Sequence, residues 1–482
     1  MHISGFKKGR INRMEKTNET KNPLGYEPIG SLLKRFALPS VISMLVNAIY
    51  NIVDQIFIGQ GVGYLGNAAT TVYFPIVTII LSIGTLLGAG SSAYAAINLG
   101  EKKEKEAERT LNNMFILLVS VGILLTILGL IFQEPLLKIF GATPANMAYA
   151  KTYSTILMLG TPFNLLGIGL SNMARTDGTP ALSMYSMVFG AILNTILNPI
   201  YIFIFHWGVA GSAIATVTSQ ILSAVILTYY FAKKGHMRLK FKSMKLQGRV
   251  CKAIVSLGIS SCITQLASTV MQITMNNSLV YYGNKTSVGG DVALSAMGIV
   301  IKIVMIITSI CIGIGIGSQP IIGFNKGAQK LDRVKKTYVT AATMATVVSI
   351  IGWILCLSIP GIILKIFGSE GADFTNFAIK CMRVFLAGMF CAGFQITATS
   401  YFQATGQPMK ASILSMLRQL ILLIPLILIL PIFFGLDGVL YAGPIADISS
   451  GIVVFFFINH ELKKLAKQIK EKTPESKLIT AK

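Results

Sequence analysis

The sequence predicts an all-α polytopic membrane protein, with twelve transmembrane helices set as two parallel lobes of six. Three observations carry this. Of 482 residues, 53% are hydrophobic and only 13% charged, and the mean hydropathy of +0.66 is beyond what a soluble chain of this size shows. Apolar stretches of about 20 residues or more, each long enough to cross a hydrocarbon core as a helix, recur from one end to the other. The chain also repeats itself at a shift of 227 residues.

Residues 1–30 are polar and basic, with no apolar stretch leading to a small-residue cleavage site, so no cleavable signal is expected; Met14 offers a second start beside Met1. Hydropathy, with the punctuation of Gly, Pro and charge, then sets spans near 33–60, 67–97, 110–133, 147–174, 181–205, 209–232, 253–282, 292–323, 334–361, 374–403, 410–434 and 438–460. Barrel-type alternation is missing, and in lipid the helix is the spanning structure that remains. Lys and Arg gather in alternate connections: the N-terminal stretch, 102–109, 233–252, 326–336 and the tail from Lys463. The opposite connections hold only the isolated Lys138, Lys285 and Lys365. This asymmetry predicts a multi-pass protein of the plasma membrane with both termini cytoplasmic. The layout is a tail at 1–30, a lobe at 31–232, a basic linker at 233–252, a lobe at 253–460 and a tail at 461–482.

The net charge of +23 is thus a topology signal, and no nucleic-acid partner is expected. Cys251, Cys262, Cys311, Cys356, Cys381 and Cys391 lack paired spacing and read as packing residues. His2, His206, His236 and His460 are scattered, so no metal site is expected. Without a nucleophile-base constellation or a P-loop the chain reads as no enzyme and as needing no cofactor.

The duplication is explicit. LLKIFG at 136–141 returns as ILKIFG at 363–368, and the stretch from Gly88 to Thr110 pairs with GIGIGSQPIIGFNKGAQKLDRVKKT, setting Asn98 on Asn325 and Gly100 on Gly327. ARTDGTP at 174–180 answers QATGQP at 403–408. Because six is even, the two halves run parallel, related by an axis along the membrane normal, an arrangement typical of secondary transporters.

The first span carries Asn47, Asn51 and Asp54 at i, i+4 and i+7, one face of a helix. A carboxylate near the bilayer centre costs roughly 2.5–3.5 kcal/mol on insertion scales, so Asp54 faces protein or water. It is read as a proton- or cation-coupling group, with a structural hydrogen bond between helices as the alternative. In the seventh span Gln265, Thr269, Gln272 and Asn276 build a matching face without charge. It lines a cleft between the lobes or serves as interhelical glue. The fifth span adds Asn194 and Asn198, followed by Pro199, which frees a carbonyl one turn upstream. Of the other intramembrane charges, Arg383 and Arg418 are expected to snorkel to the interface, Lys302 is a candidate cleft residue, and Asp447 stands between a structural and a cation-binding role.

VNAIYNIVDQIFIGQ, the turn ARTDGTP, ILNTILNP and the doubled six-helix layout resemble the multidrug and toxic compound extrusion (MATE) family, and within it the bacterial MepA-type branch. The resemblance runs from about residue 25 to residue 460. It implies a V-shaped twelve-helix antiporter that exports hydrophobic or cationic compounds in exchange for H+ or Na+ by alternating access. It makes Asp54 the coupling acid, with Asn47, Asn194 and Thr216 as polar partners. Asn198 departs from the pattern, standing where relatives carry an aspartate, so one carboxylate of the usual site is missing. The acids of a second-lobe sodium site would fall on Ser268 and Ala392, so that site is not expected. Tyr50, Phe57, Tyr73, Met271 and Tyr281 are candidate cavity residues by position. The expected partners are small hydrophobic or cationic substrates and the lipid bilayer, with the protein a monomer. A lipid-linked oligosaccharide flippase of the same superfamily is the alternative; it would need several cations in the cleft, and Lys302 alone is thin support.

Overall fold

The computed structural model describes residues 22–240, 245–366 and 371–472. The first 21 residues, the end of the second repeat motif at Phe367–Gly368, the tail beyond 472 and the side chain of Asn51 lie outside the described residues. Among the described residues twelve long helices follow in order: α1 Ile29–Val62, α2 Tyr64–Gly100, α3 Glu104–Ile131, α4 Met147–Thr176, α5 Pro180–Pro199, α6 Gly208–Lys233, α7 Gly248–Gly283, α8 Gly290–Gly327, α9 Leu331–Ser358, α10 from Gly371 to Ala404, α11 from Pro408 to Phe434, and α12 Leu436–Lys472. All twelve are long and apolar enough to cross a membrane. Only Gly63 separates α1 from α2, and its φ of 82° is one a side chain with a β-carbon resists.

Three features depart from the hydropathy reading. The repeated LLKIFG motif forms a short helix in each half, Gln133–Ile139 and Pro360–Ile366. These are too short for a hydropathy window to separate from the spans beside them. The last helix runs twelve residues beyond the predicted boundary at 460, to Lys472. It continues because Glu461 accepts from Lys410 and Gln407, each at 2.7 Å, and Leu465 is buried. Three helices are irregular: Ile200–Ile204 after Pro199 and Leu417–Leu423 before Pro425 wind as π-helix, and Leu386–Cys391 as 3-10 helix. Proline removes a backbone donor, and the wider turn beside it takes up the misfit.

The duplication is visible in the backbone. Lys102 and Gln329, 227 residues apart in sequence, end the turns after α2 and α8 with φ of 62° and 58°. Gly100 and Gly327 make reciprocal contacts, a β-carbon on the first colliding with the carbonyl oxygen of Phe324 and one on the second with that of Ile97.

Packing is not a simple division at the linker. Leu32, Leu33, Phe36 and Ala37, in the leading half of α1, share a core with Cys311, Ile314 and Ile321 of α8 and Ala341 and Ala345 of α9. Val250 and Ile254, in the leading half of α7, pack instead with Leu87, Ala107, Leu111 and Met114 of the first lobe. Each lobe's first helix therefore starts against the opposite lobe and ends in its own. The crossing of α7 with α2 is backbone to backbone, since a β-carbon at Gly258 would collide with the Leu86 carbonyl and one at Gly90 with that of Ile254.

Polar ties hold both leading ends. Asn325 and Arg333 donate to the Leu24 carbonyl at 2.9 and 3.1 Å, Arg333 also to that of Glu27 at 2.7 Å, and Lys330 to that of Gly25 at 2.7 Å. On the other lobe Asn113 accepts from the Gln247 amide at 2.7 Å and Asn112 from that of Lys240 at 2.9 Å. The ARTDGTP turn completes this tie. Arg175 is buried and donates to Ser183 and Asn172 at 2.6 and 2.8 Å, while Asp177 accepts from the Tyr230 hydroxyl at 2.7 Å and the amides of His236 and Met237 at 3.0 and 2.9 Å. Asp177→Ala leaves two backbone donors and a hydroxyl unpaired, each costing about 1–3 kcal/mol where water is excluded. Tryptic cleavage between Lys233 and Lys252, followed on gels in detergent, is expected to speed up severalfold in this variant; unchanged kinetics would show that Asp177 does not hold the linker.

Candidate functional site

Three helices each contribute a polar pair at i and i+4, and the pairs interlock inside the first lobe. From α5, fully buried Asn198 donates one amide hydrogen to Asp54 Oδ1 at 2.6 Å and the other to Asn194 Oδ1 at 3.0 Å. From α6, Ser212 donates to the same Asp54 oxygen at 2.9 Å, and Thr216 accepts from Asn194 at 3.1 Å. From α1 come Asp54 itself and, one turn before it, Tyr50, which lies near Thr216. Asp54 Oδ1 is thus saturated by donors, while Asp54 Oδ2 has no hydrogen-bond partner among the described residues. Asn198 Oδ1 is buried and unpartnered.

The chemistry follows from this inventory. An amide at position 198 supplies two donors, one to hold the Asp54 carboxylate and one to hold Asn194; a carboxylate there would repel Asp54. The site carries a single acid, and its Oδ2, without a partner among the described residues, is suited to a proton or a small cation. Among the described residues no three of His, Cys, Asp and Glu cluster as a metal centre.

Of the predicted coupling residues, Asp54, Asn194, Asn198 and Thr216 meet here. Asn47 lies on the exposed side of α1. Ser212 was missed, though its spacing to Thr216, i and i+4 on one helix, is a readable signal. Tyr153 on α4, within electrostatic reach of both Asp54 and Tyr50, had no such signal. Tyr73, read as a cavity residue, is instead enclosed in the first-lobe core, edge-on to Tyr153 with ring centroids 5.9 Å apart. Its ring fills space between α2 and α4, and its hydroxyl is buried without a partner. Phe57 packs edge-on against Phe203 at 6.4 Å.

In the second lobe Gln265, Thr269, Gln272 and Asn276 are half-buried along α7. Thr269 bonds back to the Gln265 carbonyl at 3.3 Å, and Met271 packs on the second-lobe core. Beside them Gln419 of α11 donates to Ser268 at 2.9 Å. Tyr281 sits apart, exposed at the end of α7 with the Lys285 ammonium 3.9 Å from its ring centre. Lys302 is exposed on α8. Arg418 does not snorkel as expected: its Nε lies 2.5 Å from Asp447 Oδ1 of α12. A counter-charge inside the lobe offsets the desolvation that would otherwise drive the side chain to the interface.

The sequence model of the MatE family matches residues 39–200 and 260–429, which include both first-helix polar faces and the asparagines of α5. The chain belongs to the MatE family. Similar proteins include a "Multidrug export protein MepA" of Staphylococcus aureus, 27% identical over 421 residues that cover 87% of this chain and 91% of that one. Its namesake from Staphylococcus haemolyticus is 26% identical over 431 residues, covering 88% and 92%. Among solved structures, the MATE multidrug transporter DinF-BH in complex with rhodamine 6G is 32% identical, with a TM-score of 0.82 and coverage of 89% and 95%. A MATE family transporter in an outward-facing conformation gives a TM-score of 0.85 at 22% identity over 90% and 96% of the two chains. That likeness speaks for the MatE fold.

Proposed function

We propose that this MatE protein is a secondary antiporter of the cell membrane. It exports hydrophobic or cationic compounds in exchange for H+ or Na+ by alternating access, with Asp54 as the coupling carboxylate. The observation that carries the reading is Asp54, a single acid held through one oxygen by α5 and α6, with its other oxygen unpartnered among the described residues. The names of the relatives support the export of drugs, since MepA is a multidrug export protein and the chain spans 91% of its length. The rhodamine 6G complex of DinF-BH supports an aromatic cation as one substrate class.

In this reading the bodies that rock are the lobes at 31–232 and 253–460, the termini are cytoplasmic, and the protein works as a monomer in the bilayer. Tyr50, Phe57, Met271, Lys302 and the polar face of α7 line the path. Burial favours the neutral form of a carboxyl, while water or a cation favours the charged form. If one lobe arrangement takes up the ion on Asp54 and the other takes up substrate, the ion gradient drives export through linkage. The test is efflux of rhodamine 6G from cells or inverted vesicles, with the proton and sodium gradients collapsed separately. Loss of efflux under one collapse identifies the ion. Undiminished efflux under both overturns the antiporter reading.

A further inference from the structure

The two short helices after α3 and α9 occupy equivalent places in the duplication, yet they meet the next span differently. In the first lobe Gln133 donates to the Lys151 carbonyl at 2.9 Å and to the hydroxyls of Ser154 and Thr155 at 2.7 Å. Glu134 pairs with Lys138 and Lys151 at 2.8 and 2.6 Å. Hydrogen bonds and charge from both lysines hold its carboxyl down to about 2, so this stitching persists in acid. The cavity left beside it, about 220 Å³ between Ile76, Leu125, Phe132 and Met158, has only apolar walls.

At a shift of 227 residues Gln133 and Glu134 become Pro360 and Gly361, which have no side chain able to reach α10. A groove of about 470 Å³ opens there, between Ile359, Ile362 and Leu364 on one wall and Phe374, Ile379 and Arg383 on the other. Counting back from Gly406 and Pro408, which match Gly178 and Pro180 at a shift of 228, Arg383 takes the place of Thr155. Where the first lobe has a hydroxyl bonded by Gln133, the second has a guanidinium. Arg383 is exposed and has no hydrogen-bond or ion-pair partner among the described residues.

A guanidinium roughly three turns inside a spanning helix is costly in hydrocarbon unless it meets a counter-charge. Its planar fork of donors matches two oxygens of a phosphate, and the apolar walls around it match a fatty chain. We propose that this groove binds an anionic phospholipid, with the phosphate on Arg383 and an acyl chain along Ile359, Ile362, Phe374 and Ile379. The inference does not rest on the antiporter reading. The equivalent place in the first lobe, bridged by Gln133 and with Lys138 and Lys151 both paired to Glu134, takes no such lipid.

The test is native mass spectrometry of the full chain in a neutral detergent, supplied with dioleoyl phosphatidylglycerol, with dioleoyl phosphatidylcholine, or with inorganic phosphate. Wild type is expected to retain one phosphatidylglycerol at least about tenfold more strongly than phosphatidylcholine, because both offer a phosphate but the choline cation of the second meets Arg383 as a like charge. Inorganic phosphate is not expected to displace it. Arg383→Gln is expected to erase the preference and Arg383→Lys to weaken it. Gly361→Leu, built into open space, fills the groove and is expected to lower retention with the cation intact. Equal retention of both lipids by wild type, full retention of phosphatidylglycerol by folded Arg383→Gln and Gly361→Leu, or displacement by inorganic phosphate would each overturn the proposal.

Discussion

Asp54→Asn is expected to lower gradient-driven efflux at least about tenfold while leaving expression and rhodamine 6G binding near wild type. The size follows from coupling: site-to-site free energies of about 1–3 kcal/mol correspond to roughly 5- to 150-fold, and the variant removes the group that takes up the ion. The fold is expected to survive because the substituted amide keeps an oxygen where Asp54 Oδ1 accepts from Asn198 and Ser212. What the amide loses is the ability to bind a proton at ordinary pH or to neutralise a cation. Initial efflux rates in inverted vesicles, beside equilibrium binding of the same dye to purified protein, separate the two effects. Efflux above half of the wild-type rate would remove Asp54 from the coupling role, and loss of binding as well would make it a substrate contact.

Gly258→Ala is expected to lower the thermal midpoint of the purified protein by several degrees, whereas Gly298→Ala leaves it unchanged or slightly raised. Both are helix-interior glycines, so the intrinsic helix preference gained with alanine is the same for each. The difference is what the new β-carbon meets: the backbone carbonyl of Leu86 at Gly258, and nothing within 4 Å at Gly298. A carbonyl in a helix cannot swing aside like a side chain, so α7 must lift from α2, and overpacking of this kind costs about 1–3 kcal/mol. Fluorescence-detected gel filtration after heating reads both midpoints. Matching midpoints would mean that the crossing of α2 and α7 yields readily and does not fix the lobes.

The number and order of the helices were legible because an apolar run long enough to span has few other fates. The clustering of Asp54, Asn194, Asn198 and Thr216 was legible in part, since each helix advertised its polar pair at i and i+4. Which pairs would meet was not, because helix spacing says nothing about the neighbour a face turns toward. Tyr73 shows the limit: an aromatic residue in a spanning helix has the same local signature in a cavity wall as in a lobe core. Arg418 and Asp447 show another, as their pairing joins two helices and neither charge alone distinguishes an interfacial residue from an internal one. The short helix at Gln133–Ile139 was present in the sequence as a repeated motif, yet its seven residues fall below the length that periodicity resolves.

The exchange of leading halves between the lobes bears on how the protein is made. As the chain emerges from the ribosome, α1 enters the bilayer well before α8, and Leu32, Leu33 and Phe36 find their partners only when Cys311, Ile314 and Ile321 arrive in α8. Through the synthesis of six intervening spans that half of α1 faces lipid, and the first lobe stands without Val250 and Ile254 to complete its core. Neither lobe can finish as an independent unit, and a chain cut at the linker must reassemble by trading helices. Folding is completed late, from both halves at once.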